Sequence, residues 1–85
     1  MSDITRYIMK RYPEKTLQIR RLVLRDSGFR TICEDYGKCV EAMEYFDHSQ
    51  DPRAKARADE YRTLIQDLEE EISQALVALK PRWLD

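Results

Sequence analysis

Residues 29–46 read FRTICEDYGKCVEAMEYF, and their apolar positions Phe29, Ile32, Tyr36, Cys39, Met43 and Phe46 are spaced 3, 4, 3, 4, 3. Such spacing is the seam of a helix that lies along a partner helix. Downstream, Ala54, Ala58, Tyr61, Ile65, Leu68, Ile72, Ala75 and Leu79 repeat at 4, 3, 4, 3, 4, 3, 4, with Leu64 and Leu76 widening the stripe. Between the seams, His48-Ser49-Gln50-Asp51-Pro52 stops one helix and starts the next, Asp51 being suited to an N-cap and Pro52 to the first helical position. A connection this short makes the two helices antiparallel. The expectation is an all-α fold built on a long, coiled-coil-like hairpin of residues 28–47 and 52–79.

Folding the second seam back on the first sets Phe46 against Ala54, Met43 against Ala58, Cys39 against Tyr61, Tyr36 against Ile65, Ile32 against Leu68 and Phe29 against Ile72. Large meets small near the tip, as interdigitating layers require. Glu41, Glu44 and Asp47 would flank Arg53, Lys55, Arg57 and Arg62, which selects this register; exposed pairs of this kind contribute only about 0–1 kcal/mol each.

The second helix outruns the first, so Ala75, Leu76 and Leu79 need cover from elsewhere. Asp26-Ser27-Gly28 breaks the chain and supplies an N-cap, and Pro13 opens a further helix over 14–25. One side of that helix carries Ile19, Leu22 and Val23, another carries Leu17 and Leu24, and Arg20, Arg21 and Arg25 lie between them. Two apolar sides imply two packing partners. The overhanging end of the long helix is the first, its Asp67, Glu69, Glu70 and Glu71 expected to neutralise the arginines. Residues 3–12, with Ile4, Tyr7 and Ile8, form a short amphipathic helix, and Pro81 ends the last helix before a tail of residues 80–85.

The whole chain has 85 residues, enough for a single small domain, 1–85, with one modest core. Only two glycines and three prolines occur, which argues against a turn-rich all-β fold. Fifteen basic and sixteen acidic side chains give a formal charge of −1, so no overall bias toward nucleic acid or anionic membrane exists. Their distribution is uneven: residues 1–30 hold eight basic and three acidic side chains, a balance of +5, and the remainder is −6. The first residues contain no apolar leader and no stretch is apolar enough for a membrane span, so the cytoplasm is the expected compartment. Two cysteines are too few for a secreted disulfide scaffold and fit a reducing compartment as small apolar residues.

Catalytic, cofactor and metal signatures are not found, and no enzyme is expected. Cys33 and Cys39 are six apart, which separates them by about 120° on a helix and prevents a shared grip on a metal. Both read as core thiols, with a redox role as the alternative. His48 stands alone at the tip without candidate co-ligands. Glu69, Glu70 and Glu71 are consecutive, point in different directions and read as a solvated face. Small helical chorismate mutases are of similar length and use arginines on a dicarboxylate, but their long first helix is interrupted here at Pro13 and at Ser27-Gly28.

Two non-catalytic functions remain. Arg20, Arg21, Arg25 and Arg30 bracket the Ser27-Gly28 break much as a helix-turn-helix would, making a basic-patch nucleic-acid-binding regulator one reading. The helix after the break carries Glu34, Asp35, Glu41 and Glu44 against Lys38, which phosphates would repel. The favoured reading is therefore a protein-protein interaction or adaptor module acting through Leu17, Arg20, Arg21, Leu24 and Arg25. A homodimer is expected, burying Leu17, Leu24, Leu64, Leu76 and Trp83 and turning the arginines toward the partner's acidic segment.

The apolar positions at Ile19 and Leu22, the run Asp26-Ser27-Gly28-Phe29-Arg30, Ile32, Tyr36, Tyr61-Arg62-Thr63-Leu64 and Leu68-Glu69-Glu70-Glu71-Ile72 followed by Leu76 resemble the YdcH-like group of small bacterial proteins over residues 17–79. The departure is Cys39-Val40, where that group usually has a Leu-Asp pair, and the first 16 residues have no counterpart. The resemblance implies a bacterial cytosolic helical hairpin and transfers no functional residue.

Overall fold

The computed structural model describes residues 6–78. Among them the order is α1 (Arg6–Arg11), a 3-10 turn (Pro13–Lys15), α2 (Thr16–Arg25), α3 (Ser27–Asp47) and α4 (Ala54–Ala78), with no strand. The fold is all-α, and the long α3–α4 hairpin is its frame. Residues 3–5 of the expected first helix, Leu79, the 80–85 tail and Trp83 lie outside the described residues.

Each boundary has a local cause. Asp26 is the single residue between α2 and α3; its backbone is extended (φ −121°, ψ 105°), and its carboxylate accepts the Phe29 N–H at 3.1 Å, capping α3 as the sequence suggests. The outgoing end of α2 is closed at the same spot. The Asp26 N–H donates to the Leu22 carbonyl at 2.8 Å, and Arg30 Nε and Nη2 both donate to the Val23 carbonyl at 3.0 and 2.9 Å. Arg30 thus ties two helices together, its guanidinium held against the end of α2. At the tip, Asp51 caps through the Arg53 N–H at 2.9 Å while its carbonyl accepts from Ala54 N at 2.9 Å. Pro52 and Arg53 form a turn ahead of α4, which begins at Ala54 rather than at Pro52.

Ile8, Ile19, Phe29, Cys33, Tyr36, Ile72 and Leu76 form the principal buried cluster, at the open end of the hairpin. The upstream helices supply the cover that the end of α4 needs, through Ile8 of α1 and Ile19 of α2. In an envelope of 53 × 28 × 21 Å the tip therefore projects from a capped base. Along it, Ala54 and Ala58 are buried, and the small side chains let α3 and α4 approach. Phe46 differs from its expected pairing. Its ring stacks on Tyr61, centroids 5.9 Å apart and 15° from parallel, because helical side chains lean toward their own N-termini and the two antiparallel rings lean toward each other.

The α3 seam needs a second correction. Cys33, rather than Cys39, is fully buried, with Tyr36 and Gly37 beside it, whereas Cys39 and Ile32 are half-buried. The reason is that α3 serves two neighbours, α4 on one side and the upstream helices on the other. Gly37 illustrates the second contact, lying beneath the Tyr7 ring of α1. A Cβ added at Gly37 would meet Tyr7 Cδ2 at 3.5 Å, an ordinary contact. Because glycine inside a helix costs about 0.5–1 kcal/mol relative to alanine, Gly37→Ala is expected to raise the unfolding free energy by about that amount in urea titrations. A loss of stability would show that α1 sits closer to α3 than described.

Candidate functional site

Residues 17–25 place one wet, apolar face opposite a packed one. At about 100° per residue, Leu17 and Leu24 lie within about 20° of each other, Arg20 falls about 60° to one side, and Arg21 and Arg25 about 40° and 80° to the other. Ile19, Leu22 and Val23 occupy the opposite arc, Ile19 fully buried and the other two half-buried. The outward leucines are 66% and 79% exposed, large values for their type. All five residues singled out in the sequence thus share one exposed surface.

The electrostatic surroundings of that surface differ from expectation. Arg20, Arg21 and Arg25 make no ion pair with another described residue, and Glu69 is engaged instead by Arg11 of α1, at 3.1 Å through Nε. Glu69 is the centre of a polar clamp. Its Oε2 also accepts the Tyr36 hydroxyl at 2.8 Å, its carbonyl accepts the Tyr12 hydroxyl at 3.3 Å, and Tyr12 lies 3.1 Å from Ser73 Oγ. The clamp fastens α1 across α3 and α4, so Glu69 is half-buried rather than part of a solvated face. Burial, then the bond to Glu69, holds the Tyr36 proton well above the usual phenol range, which removes it as a general base.

A second surface, unforeseen in the sequence, lies between α3 and α4. Asp35, Lys38 and Cys39 from one helix and Leu64, Asp67, Leu68 and Glu71 from the other line an open groove of about 360 Å³. Cys39 and Leu68 are half-buried in it, and Leu64 is 48% exposed. Three carboxylates against one ammonium leave this surface at −2. Its only advance signals were the surplus Leu64 and the Asp67/Glu71 spacing of four; the α3 half comes from a different segment.

Among the described residues, no group of three His, Cys, Asp or Glu side chains is placed to hold a metal ion, and no helix is long and apolar enough to cross a membrane. Cys33 and Cys39 are unpaired thiols, and burial pushes the Cys33 thiol up to about 11, a value that disfavours a nucleophilic thiolate. His48 is exposed, its Nδ1 2.7 Å from the Glu44 carbonyl. Of the hairpin charges, Arg62 does span to Asp47 at 2.6 Å and also holds Asp59 at 2.8 Å, whereas Arg53 and Arg57 pair locally with Asp51 and Glu60. Leu76, expected on the dimer surface, is buried at 8% exposure and belongs to the core. Leu64 lies along the hairpin in the groove rather than beside α2.

No family model matches the chain, and neither a curated protein nor a solved structure matches it.

Proposed function

We propose that the chain is a non-enzymatic interaction module that docks a protein partner through the outer face of α2. The observation that carries this is the Leu17/Leu24 stripe: two large apolar side chains, seven residues apart and mostly in water, on a helix whose opposite face is committed to the core. An exposed apolar strip rimmed by arginines that form no ion pair among the described residues suits a partner with an apolar ridge between carboxylates. Arginine is well adapted to such a rim, since its planar fork pairs with carboxylates in two-pronged fashion.

The alternative, a nucleic-acid-binding regulator, has less support. Arg30 is bound to the Val23 carbonyl, and α3, which would follow into a groove, carries Glu34, Asp35, Glu41 and Glu44 against Lys38. In the favoured reading the module works in the cytoplasm, where two unpaired thiols persist, and is related to the YdcH-like hairpins that residues 17–79 resemble.

Affinity capture with the parent chain and with a Leu17→Glu/Leu24→Glu variant tests the reading. Both positions are exposed, so circular dichroism of the two chains is expected to agree. Proteins held by the parent are expected to fall by about tenfold or more on the variant. Equal retention by both sinks the proposal, and tight binding of random duplex DNA that weakens steeply between about 50 and 200 mM salt would favour the alternative.

A further inference from the structure

We infer that the partner met by the α2 face is a second copy of this chain, and that the receiving surface is the α3–α4 groove lined by Asp35, Lys38, Cys39, Leu64, Asp67 and Glu71. The inference rests on the docking role proposed for α2 and adds the occupant and its seat.

Charge complementarity carries it. The α2 face offers three guanidinium groups that form no ion pair among the described residues, around two exposed leucines, while the groove offers an apolar floor of Cys39 and Leu68 with Leu64, three carboxylates and the single Lys38 ammonium around it. Asp67 and Glu71 are four residues apart on α4, as Arg21 and Arg25 are on α2, so each pair stands about one turn apart on its helix. Arg20, on the other side of the leucine stripe, is left to face Asp35 across the groove. A face of +3 thus meets a groove of −2, with Lys38 the one like charge on the receiving side.

The chain cannot satisfy this match within itself. Its α2 is pinned to α3 by the one-residue junction at Asp26, by the two bonds from Arg30 to the Val23 carbonyl and by buried Ile19. The outer face is therefore turned away from its own scaffold. Two copies related by a two-fold axis make the contact twice, α2 of each in the groove of the other, and leave neither surface open.

Charge reversal on the intact chain tests the pairing. In sedimentation equilibrium at micromolar concentration, the parent is expected near twice its monomer mass of 10.2 kDa. Arg21→Glu/Arg25→Glu and, separately, Asp67→Lys/Glu71→Lys are each expected to weaken self-association by about tenfold or more, by setting like charges against each other at both contacts. An equimolar mixture of the two variants is expected to recover the dimer, because every contact between unlike partners is again complementary. All four positions are exposed, so folding is retained and circular dichroism verifies it. A parent of monomer mass at every concentration overturns the inference, as does a dimer indifferent to either variant or one that mixing fails to restore. Each of those results leaves the capture experiment on Leu17 and Leu24 to decide separately whether α2 docks some other protein.

Discussion

Ile72→Ala is expected to lower the unfolding free energy by about 3 kcal/mol and the melting temperature by about 15 °C. Ile72 has no exposed surface and lies in the cluster with Ile8, Ile19, Phe29, Cys33, Tyr36 and Leu76, to which α1, α2, α3 and α4 all contribute. Truncation there removes apolar contact and leaves a cavity that four elements, tied by the Glu69 clamp and the Asp26 junction, cannot all close upon. For a chain of 85 residues, total stability is of order 4–13 kcal/mol, so a quarter or more is at stake. Val77→Ala is the matched control: Val77 lies on the same helix, is 70% exposed, and its truncation is expected to change stability by less than about 0.5 kcal/mol. Urea melts showing equal effects for the two would place the core elsewhere on α4.

Alkaline pH is expected to destabilise the fold from about pH 9 upward. Cys33, with an ordinary thiol value of 9.0, is held up to about 11, first by burial and then by the nearby Glu34 charge. In the unfolded chain the thiol ionises near its ordinary value, so above that pH the unfolded state binds fewer protons than the folded state. Stability must then fall as pH rises, fully present below about 9 and lost progressively through about 11. With solvent screening allowed for, the effect is on the order of 1–2 kcal/mol. Tyr36 acts in the same direction at higher pH, since burial and its bond to Glu69 keep its phenol protonated after the unfolded chain has released that proton. Urea midpoints of the parent and of Cys33→Ala between pH 8 and 11 check this. The variant is expected to lose most of the slope between 9 and 11 while keeping the Tyr36 part above 10. Superimposable slopes would show that the Cys33 thiol is not buried.

What could be read from the sequence was whatever a single helix decides by itself. The 3-4 spacing of α3 and α4, the Asp26 cap, the Asp51 cap and the outward Leu17/Leu24 stripe all follow from periodicity and local hydrogen bonding within a few residues. What escaped depended on distant segments. Cys39 fits the α3 seam by spacing, yet Cys33 is the buried thiol, because α3 also packs against the upstream helices, with Tyr7 over Gly37. A second stripe so close to the first cannot be distinguished by period alone. The partner of Glu69 escaped for a similar reason: Arg20, Arg21 and Arg25 are as basic as Arg11, and 58 residues separate Arg11 from its carboxylate. The groove was legible only in its α4 half, through Leu64 and the Asp67/Glu71 spacing, because α3 supplies the other half from a different segment.

Asp26 alone separates two helices, and that brevity limits how the protein can change over evolutionary time. Because Asp26 is extended and is the whole connection, inserting or deleting one residue there rotates and displaces α2 relative to α3, and with it the Leu17/Leu24 stripe. The same rotation carries Ile19 out of the core, coupling the aim of the outer face to the integrity of the inside. The loop at 48–53 imposes no such phase, because the segment it carries is aligned by the whole length of the hairpin. Substitution can thus retune what the α2 face recognises while its direction stays locked to the length of the chain.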